Sequence, residues 1–468
     1  MIQAINQWPE RKVAVIDEAE PQPCTYCELR SLVGASVDPL RRLPRPGVVF
    51  LLCSNSLGSV VAYLAALQAQ YPVTLLDPGA SSNDRLIAAY RPSALLAPCG
   101  LAVPAGFREG ETLAGVRMRL WLNETPGAFA AGIHPALALM LTSSGSTGNP
   151  KVVRLTAANL TANADSIAEY LALGPEEISI QSLPMHYSYG LSLVNSHLLS
   201  GGTLGLTNQS FMRPEFWGFF DKIGATSFAG VPYMYETLQR LRLFPTNRPT
   251  LRTMTQAGGH LRPDVVRVFH AAAEKAGKRF FVMYGQTEAT ARISYVPPPR
   301  LGEKIGTIGI AIPRGKLSLS PVDGCGVHEL IYEGPNVMMG DAQSADDLAL
   351  GDVLQGRLVT GDLAERDADG FFRITGRLAR FAKLFGKRVQ LADVEAKVEN
   401  TLGHSAAAIE GKDCLEVFVE GLGEPALAEV RSLLAAMLGV PPASIHAHSI
   451  AAIPMTASGK KDYKELER

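Results

Sequence analysis

Apolar runs of strand length alternate with segments of helix length over most of the chain. The clearest example lies between residues 46 and 76, where the pattern predicts a strand at 48–53, a helix at 57–69 and a second strand at 73–76. This stretch is uncharged, but polar residues such as Ser54, Asn55 and Gln68 interrupt it and argue against a membrane span. Strands that are apolar on both faces are typical of a parallel sheet covered by helices on both sides. The stretch therefore predicts a buried βαβ unit.

The same alternation continues to about residue 285. Apolar runs at 136–141, 178–184, 201–206 and 281–284 alternate with predicted helices at about 156–171 and 190–200. Strands that alternate with helices predict an α/β fold with a mainly parallel sheet. Ligands bind at the carboxyl ends of the strands in such sheets, so the loops that follow these runs are the candidate sites.

The pattern changes after residue 305. Short β-like runs are separated by Asp-Gly pairs at 323–324 and 369–370, which predicts antiparallel hairpins. From residue 376 onward we expect a basic loop, a helix at 391–402, a strand, a helix at 425–438 and a tail. The chain therefore divides into a large N-terminal domain (1–375), with a small β-rich part at about 305–375, and a small α+β C-terminal domain (376–468).

Composition and charge exclude several classes of protein. The 468 residues are 47% hydrophobic and 19% charged, which predicts a large buried core and not a disordered chain. A formal net charge of −1 argues against nucleic acid as a partner. The first residues lack the apolar segment of a secretory signal, so we predict a cytoplasmic protein. Cys24 and Cys27 form a lone C-x-x-C pair without further ligands at zinc spacing, which argues against a metal site there.

A loop rich in serine and glycine carries the strongest chemical signal. It follows the predicted strand at 136–141, its glycines permit conformations in which backbone N–H groups converge on an anion, and its hydroxyls and lysine add donors. Such a loop suits a polyphosphate, although it is not the G-x-x-x-x-G-K-[ST] loop. The alternative is a plain flexible linker. The candidate phosphate-binding residues are Ser143, Ser144, Gly145, Ser146, Thr147, Gly148 and Lys151.

This loop resembles the signature loop of the adenylate-forming superfamily, which includes acyl-CoA and aryl-CoA synthetases, adenylation domains of nonribosomal synthetases, and luciferases. Five further segments resemble motifs of that family, in the family's order. They are T-Y-x-E-L from Thr25, the glycine-rich turn at 257–261, Y-G-x-T-E from Tyr284, T-G-D from Thr360, and P-x-T-x-x-G-K ending at Lys460. Residues 376–389 also resemble the start of the family's mobile C-terminal domain.

The resemblance implies an enzyme that uses ATP and Mg²⁺ to convert a small carboxylic acid into an acyl-adenylate, with release of pyrophosphate. Transfer of the acyl group to a thiol follows, either of coenzyme A or of phosphopantetheine on a carrier protein. Two alternatives stay open: a ligase with a non-thiol acceptor or an unusual acid, and a catalytically silent nucleotide-binding relative. Thiol-dependent AMP release and ATP–pyrophosphate exchange would separate them.

The resemblance also assigns roles to single residues. Lys460 is expected to bridge the carboxylate and the α-phosphate, Thr287 to contact the α-phosphate, and Lys383 to serve the thioester-forming step. A hard cation such as Mg²⁺ prefers oxygen ligands, and Glu288 is its expected ligand. Asp362 is expected to accept hydrogen bonds from both ribose hydroxyls. The other nucleotide-binding candidates are Gly258, Gly259, Tyr284, Gly285 and Arg377.

The acid pocket is assigned to His186, Tyr187 and Gly259. The family's usual histidine falls on Tyr187 here, one position after His186, so a rim or core aromatic role is the competing interpretation. Two further positions depart from the family: Val152 follows the loop lysine where glycine is frequent, and Ala379 stands at the hinge position, which is commonly Asp or Lys.

Overall fold

The computed structural model describes residues 5–80, 82–142, 151–322, 327–378, 381–384, 387–411, 414–456 and 461–466. The chain divides into two units. Unit 1 comprises Met1–Ile305, Ala311–Lys316 and Glu333–Leu358, and unit 2 comprises Gly306–Ile310, Leu317–Tyr332 and Val359–Arg468. Most of the β-rich part therefore clusters with the C-terminal segment, whereas the sequence assigned it to the N-terminal domain. The boundary between residues 375 and 376 stays a prediction.

The strands follow in chain order. The first nine are β1 (Val13–Asp17), β2 (Cys24–Thr25), β3 (Val49–Leu52), β4 (Val73–Leu76), β5 (Ala94–Pro98), β6 (Phe107–Thr112), β7 (Met118–Asn123), β8 (Leu137–Thr142) and β9 (Val152–Thr156). The next seven are β10 (Ile178–Gln181), β11 (Thr203–Leu206), β12 (Ser227–Gly230), β13 (Thr253–Gln256), β14 (Arg279–Tyr284), β15 (Ser294–Val296) and β16 (Ile310–Ala311). The last ten are β17 (Lys316–Pro321), β18 (His328–Glu333), β19 (Gly340–Ala342), β20 (Arg357–Arg366), β21 (Phe372–Arg377), β22 (Phe381–Leu384), β23 (Lys387–Gln390), β24 (Ala406–Glu410), β25 (Leu415–Glu420) and β26 (Ile445–Ile450).

The α-helices fall mainly between these strands. They are α1 (Tyr26–Ala35), α2 (Val37–Arg41), α3 (Leu57–Gln68), α4 (Asn83–Tyr90), α5 (Ala157–Leu171), α6 (Ser188–Leu199), α7 (Pro214–Ile223), α8 (Pro232–Arg240), α9 (Pro263–Lys275), α10 (Pro298–Leu301), α11 (Leu391–Leu402), α12 (Glu424–Leu438) and α13 (Tyr463–Leu466). Short 3₁₀ turns occur at Pro245–Asn247, Thr287–Ala289, Asp346–Ala349 and Pro442–Ser444.

Two large sheets dominate unit 1. One has the strand order β16-β15-β14-β13-β12-β10-β11-β1-β2, and the pairs from β14 to β1 are parallel. The other has the order β19-β9-β8-β4-β3-β5-β7-β6, with parallel pairs between β8 and β5 and antiparallel edges. The predicted βαβ unit is β3–α3–β4, and every residue of both strands is buried. This confirms the predicted α/β class with mainly parallel sheets.

Capping explains where two helices of unit 1 begin. The hydroxyl of Thr25 accepts the N–H of Glu28, and the Glu28 carboxylate accepts the N–H of Thr25, which satisfies two donors at the start of α1. The T-Y-x-E-L segment is therefore a capping box in this chain. Thr156 and Asn159 form the same reciprocal pair at the start of α5.

Unit 2 holds three smaller sheets. A four-stranded sheet has the order β17-β18-β20-β21, and the predicted Asp-Gly turn at 369–370 joins its antiparallel strands β20 and β21. The other predicted Asp-Gly turn, at 323–324, lies outside the described residues. The helices α11 and α12 pack on a three-stranded sheet, β24-β25-β26. The core between them contains residues of the sheet, such as Val417 and Ile445, and residues of the helices, such as Val430.

Two sequence-based expectations for unit 2 are wrong. The expected basic loop after residue 376 contains an antiparallel hairpin of β22 and β23. The expected tail contains β26, which pairs in parallel with β25 over six residues, and the short helix α13. The alternating residues His446, Ala447 and His448 explain why β26 was missed: only one of its faces is apolar, and histidine is a weak sign of a strand.

Two further findings concern the cysteines and membranes. In the described part of the chain Cys24, Cys27, Cys53, Cys99 and Cys414 form no disulfide. Among the described residues, no helix combines the length and the apolar character that crossing a membrane requires.

Candidate active site

Predicted site residues of unit 1 gather at one edge of the nine-stranded sheet. The strands β10, β12, β13 and β14 are parallel neighbours, so their carboxyl ends meet at that edge. His186 and Tyr187 follow β10, Gly258 and Gly259 follow β13, and Tyr284 is the last residue of β14. The structure therefore brings together three predicted segments that are spread over about 100 residues of sequence.

Tyr187 closes against the glycine turn. Gly258 has φ +90°, and a Cβ atom there would lie 2.5 Å from the hydroxyl oxygen of Tyr187. A Cβ atom at Gly259 would lie 3.2 Å from Cγ of Pro232, so this position is also tight. Burial raises the pKa of Tyr187 to about 12, so its hydroxyl stays protonated at neutral pH. The predicted pocket residue Tyr187 thus packs against the turn that contains the other predicted pocket residue, Gly259.

His186 has different surroundings. Its Nε2 lies 4.0 Å from Oδ2 of Asp77, a residue that follows β4. Its Nδ1 is buried and has no hydrogen-bond partner. Burial lowers the pKa of His186, and the negative charge of Asp77 opposes this effect. The imidazole is therefore a polar group with one nitrogen available to a ligand.

The Y-G-Q-T-E segment forms a tight turn after β14. A Cβ atom at Gly285 would lie 1.9 Å from the carbonyl oxygen of Ala291, so only glycine fits. Thr290 takes φ +64° in the same turn. The hydroxyl of Thr287 lies 3.3 Å from that of Ser188 at the start of α6, and Gln286 Nε2 donates to the hydroxyl of Tyr284. This turn therefore holds Thr287 beside the helix that follows Tyr187.

Glu288 has the chemistry that a magnesium ligand needs. It is half-buried, its carbonyl oxygen accepts the N–H of Met338, and its carboxylate forms no hydrogen bond or ion pair with the described residues. Mg²⁺ is typically held by one or two carboxylates together with substrate phosphates. An uncommitted carboxylate one residue after Thr287 fits that requirement.

Lys151, at the end of the predicted phosphate loop, forms an ion pair within unit 1. Its Nζ lies 2.8 Å from Oδ2 of Asp341 in β19, and both side chains are 29% exposed. The other oxygen of Asp341, Oδ1, is buried without a hydrogen-bond partner. A phosphate that binds Lys151 therefore competes with Asp341 for the ammonium group. The sequence did not single out Asp341, because it lies about 190 residues away in an unremarkable Gly-Asp-Ala segment.

In unit 2 the T-G-D motif lies in β20. Asp362 is 3% exposed, and its Oδ1 accepts a hydrogen bond from Nε of Arg377 at 2.6 Å across the β20–β21 pair. Gly361 has φ +74°, and its N–H donates to the carboxylate of Glu329. The two predicted nucleotide-binding residues of this unit, Asp362 and Arg377, are thus direct partners of each other.

Several predicted site residues lie outside the described part of the chain, and their roles stay predictions. They are Ser143, Ser144, Gly145, Ser146, Thr147, Gly148 and Lys460. Ala379, at the hinge position, also lies outside it. The main chain of Lys383 belongs to β22, but its side chain is not among the described ones.

Arg292 is a second residue that the sequence-based prediction missed. Arg292 is 2% exposed, and its guanidinium stacks on the ring of Tyr189 with 3.8 Å between Cζ and the ring centroid. The signal was present in the sequence, because Arg292 is the one charged residue between Glu288 and Arg300. A single charged residue in an apolar segment next to a motif is itself an indication of a functional site.

Comparison with known proteins agrees with this arrangement. The family of AMP-binding enzymes matches residues 2–340. The chain belongs to the AMP-binding enzymes. It is 26% identical to a feruloyl-CoA synthase of Amycolatopsis sp. over 443 residues, which cover 87% of the chain and 86% of that protein. It is 29% identical to a sulfoacetate–CoA ligase of Cupriavidus necator over 284 residues, which cover 59% of the chain and 54% of that protein.

The fold is also that of solved AMP-binding enzymes. An O-succinylbenzoate coenzyme A synthetase from Bacillus subtilis, solved in complex with AMP, matches with a TM-score of 0.77 at 20% identity, covering 100% of the chain and 97% of that protein. The family match over residues 2–340 and the similarity to the feruloyl-CoA synthase confirm the predicted adenylate-forming superfamily. The predicted activity is also confirmed: this AMP-binding enzyme is an AMP-forming acid ligase that adenylates a carboxylic acid with ATP and then forms a thioester.

Proposed function

We propose that this AMP-binding enzyme joins a small carboxylic acid to coenzyme A at the edge formed by β10, β13 and β14. The observation that carries the proposal is the convergence there of Tyr187, Gly258 and Thr287, with the uncommitted carboxylate of Glu288 beside them. Coenzyme A is favoured over a carrier protein because two relatives, a feruloyl-CoA synthase and a sulfoacetate–CoA ligase, carry coenzyme A in their names.

In the first step a carboxylate oxygen of the acid attacks the α-phosphorus of ATP, and the bond to the β-phosphate breaks with release of pyrophosphate. Both reactants are anionic, so the site must neutralise charge and align the reacting atoms. Thr287 donates to the α-phosphate and Lys151 pairs with the outer phosphates. Glu288 would hold Mg²⁺, which would neutralise charge on the phosphates. Lys460 supplies the cation that bridges the two reacting groups.

In the second step the sulfur of coenzyme A attacks the acyl carbon, AMP leaves with the electron pair of the broken bond, and the thiol proton passes to solvent. We assign this step to a second orientation of residues 376–468, in which Lys383 replaces Lys460 at the site. Asp362 and Arg377 hold the ribose in both steps. We also propose that the enzyme acts in the cytoplasm, where its free thiols stay reduced.

The test is ATP–pyrophosphate exchange with a panel of carboxylic acids, followed by AMP release with and without coenzyme A. We expect acid-dependent exchange, and AMP release that requires the thiol. Glu288→Gln should lower exchange by about 10²-fold or more, because the amide is a poor ligand for a hard cation.

Glu274→Gln is the matched control, since Glu274 lies on the exposed side of α9 and its carboxylate has no described partner. Absence of exchange with every acid would refute the ligase. Exchange without thiol-dependent AMP release, but with AMP release on addition of amines, would favour the non-thiol acceptor.

A further inference from the structure

Two buried arginines of unit 1 differ in how their charge is satisfied. Arg154 in β9 is fully buried, and its guanidinium donates to the carbonyl oxygens of Met339, Asp341, Leu350 and Gly351. These backbone acceptors account for a purely structural role. Arg292 is equally inaccessible but has no comparable set of acceptors.

The guanidinium of Arg292 has aromatic neighbours. Its Nε is buried without a hydrogen-bond partner, and it forms no ion pair with a carboxylate in the described part of the chain. One face covers the ring of Tyr189. Burial raises the pKa of Tyr170, Tyr187 and Tyr189, and the positive charge of Arg292 opposes that rise at each. At Tyr170 a side-chain hydrogen bond with Arg292 opposes it as well, so a neutral hydroxyl and not a carboxylate is the polar neighbour of the guanidinium.

A buried cation without a counter-ion is costly, whereas its pairing with an anion in a low-dielectric site is strong. Planar guanidinium groups suit carboxylates, which they bind with two parallel hydrogen bonds. Arg292 lies next to the predicted acid pocket, because Tyr189 on which it stacks is two residues after Tyr187. The Tyr187 hydroxyl in turn contacts the Gly258 turn.

We infer that the acid adenylated by this enzyme carries a second carboxylate, which pairs with Arg292 while the first carboxylate reacts with ATP. This inference rests on the proposed function and specifies its substrate class as dicarboxylic acids. The ring centroids of Tyr187 and Tyr189 lie 6.3 Å apart, and Arg292 covers the second ring, so a short apolar spacer between the two carboxylates suits these aromatic neighbours.

The test compares ATP–pyrophosphate exchange for length-matched pairs of acids: malonate with propionate, succinate with butyrate, and glutarate with pentanoate. For wild type we expect at least one diacid to exceed its matched monoacid by about 10-fold or more in kcat/KM, since a hydrogen bond to a charged group is worth about that much. Arg292→Gln should remove this preference, while exchange with the monoacid is retained. Arg292→Lys should restore part of it.

Arg240→Gln is the control, because Arg240 is exposed in the last turn of α8. If Arg292→Gln fails to fold by circular dichroism, Arg292→Met keeps the volume of the side chain without its charge. A wild-type preference for monoacids would overturn the inference and leave the ligase intact. Equal losses for both acids in Arg292→Gln would also overturn it, because Arg292 would then act on the reacting carboxylate.

Calorimetric titration of succinate and glutarate separates this inference from the activity. Binding by wild type that Arg292→Gln abolishes supports the anion site even in a protein that shows no exchange. If wild type binds neither diacid and exchanges with none, the dicarboxylate assignment is wrong.

A different observation in unit 2 supports a second, independent proposal. Cys414, Glu416, His446 and His448 meet on the outer face of the three-stranded sheet. In β25 and β26 Glu416 stands opposite His446, and the residues between them, Leu415, Val417, Ile445 and Ala447, face the core. The strand alternation therefore puts Glu416, His446 and His448 on one face. Cys414 directly precedes β25, and its sulfur contacts the Glu416 carboxylate.

The distances within this set suit a metal ion. The sulfur of Cys414 lies 3.2 Å from Oε1 of Glu416, and Nδ1 of His446 lies 2.8 Å from the same oxygen. The three ligand atoms all lie within 4.8 Å of one another. A tetrahedral site with metal–ligand distances of about 2.0–2.3 Å has edges of about 3.3–3.8 Å, so small rotations suffice to surround an ion. His448 contacts the other oxygen of Glu416 and would hold the carboxylate in place.

We propose that Cys414, Glu416 and His446 bind one zinc ion, with the fourth position open to water. The thiol loses its proton to solvent as the sulfur–zinc bond forms. Thiolate, imidazole and carboxylate together favour zinc over the oxygen-seeking Mg²⁺.

Cobalt titration of the reduced, tag-free and metal-free chain tests the site. Wild type should bind about one equivalent and develop a thiolate-to-cobalt charge-transfer band, which zinc bleaches. Cys414→Ser should abolish the band, and His446→Gln should weaken binding by about 10-fold or more, as loss of a ligand does. Cys99→Ser and His404→Gln are the controls.

Absence of the band in wild type would overturn the zinc site. A band that survives Cys414→Ser would do the same, since the sulfur ligand would then lie elsewhere. In either case the cluster is a carboxylate shared by two histidines.

Discussion

Lys151 illustrates how one charge can serve two partners. It pairs with Asp341 at 2.8 Å, and a phosphate that binds it competes with that carboxylate for the ammonium group. We expect Lys151→Ala to raise KM for ATP by about 10- to 100-fold, the range for a lost hydrogen bond to a charged group. Binding of a preformed acyl-adenylate should change little, because that ligand lacks the β- and γ-phosphates.

Asp341→Asn is the informative companion in steady-state kinetics. It removes the competing charge, so KM for ATP should fall or stay unchanged. If Lys151→Ala weakens ATP and acyl-adenylate equally, Lys151 does not bind the outer phosphates.

Two glycines make a matched pair for a test of backbone constraint. A Cβ atom at Gly285 would lie 1.9 Å from the carbonyl oxygen of Ala291, whereas at Gly218, within α7, nothing lies within 4 Å. Gly285→Ala must displace main chain, which typically costs about 1–3 kcal/mol or more of stability. Gly218→Ala should stabilise the chain by about 0.5–1 kcal/mol, because alanine loses less entropy in a helix.

Denaturant unfolding and ATP–pyrophosphate exchange measure both effects. We expect Gly285→Ala to lose exchange even at temperatures where it stays folded, because the turn positions Thr287. If Gly285→Ala keeps the exchange rate of wild type, the turn tolerates a Cβ atom, and the close approach of Gly285 to the carbonyl oxygen of Ala291 is not required for activity.

The helices and strands of unit 1 were largely predictable, and those of unit 2 less so. The predicted strand at 73–76 matches β4 to the residue, and the helix predicted at about 391–402 agrees with α11, because a continuous apolar run and a 3.6-residue period leave few alternatives. The hairpin of β22 and β23 was missed, since its basic residues hide the strand period. The strand β26 was missed because half of its residues are polar.

Motif residues were predictable in the same uneven way. Gly285 and Gly258 carried their own local signal, a turn that tolerates only glycine. Asp341 and Arg292 did not, because their importance depends on contacts made across the fold. A sequence motif predicts local structure such as a tight turn. Contacts between charged residues that are far apart in sequence can be recognised only in the folded structure.

A buried histidine in helix α6 predicts how the stability of the protein depends on pH. His197 lies in the last turn of this helix, is 2% exposed, and donates from Nδ1 to the carbonyl oxygen of Leu193, while its Nε2 has no partner. Burial lowers the pKa of His197, and the charge of Glu177 only partly opposes this. The unfolded chain therefore takes up a proton that the folded chain excludes as pH falls below about 6.5, and stability is lost on the acid side.

Chemical denaturation at pH 7.5 and pH 5.5 measures this loss. His197→Gln should narrow the difference between the two pH values, because the amide does not titrate. His328→Gln, at an exposed position in β18, should leave the difference as in wild type. An unchanged difference in His197→Gln would assign the acid sensitivity to other groups.

The predicted site residues are divided between the two units of the chain. The predicted acid pocket and Thr287 belong to unit 1, whereas Asp362 and Arg377 belong to unit 2. The sequence could assign the motifs, but the boundary near residue 375 rested on a change of pattern, and the β-rich strands that cross it cluster with the C-terminal segment. Motifs identify chemistry more securely than they identify the limits of a folding unit.

The proposed rotation of residues 376–468 makes a prediction about two lysines. The attacking carboxylate and the α-phosphate need a bridging cation only while the adenylate forms. Lys460→Ala should therefore lower ATP–pyrophosphate exchange by about 10²- to 10³-fold, as removal of one charge-stabilising donor commonly does. A thiol that attacks a preformed acyl-adenylate has no use for that cation, so thioester formation from synthetic acyl-adenylate should survive. Lys383→Ala should show the reverse pattern.

Lys397→Ala is the control for this pair, because Lys397 lies on the exposed side of α11 and should support both half-reactions. The two half-reactions are measured separately, exchange with ATP and acid, and thioester formation with acyl-adenylate and coenzyme A. If Lys460→Ala and Lys383→Ala each lose both half-reactions in parallel, a single arrangement serves both steps, and the rotation is refuted for this enzyme. Ala379 offers no charged side chain to hold either orientation, so we expect Ala379→Asp to change the ratio of the two rates without abolishing either.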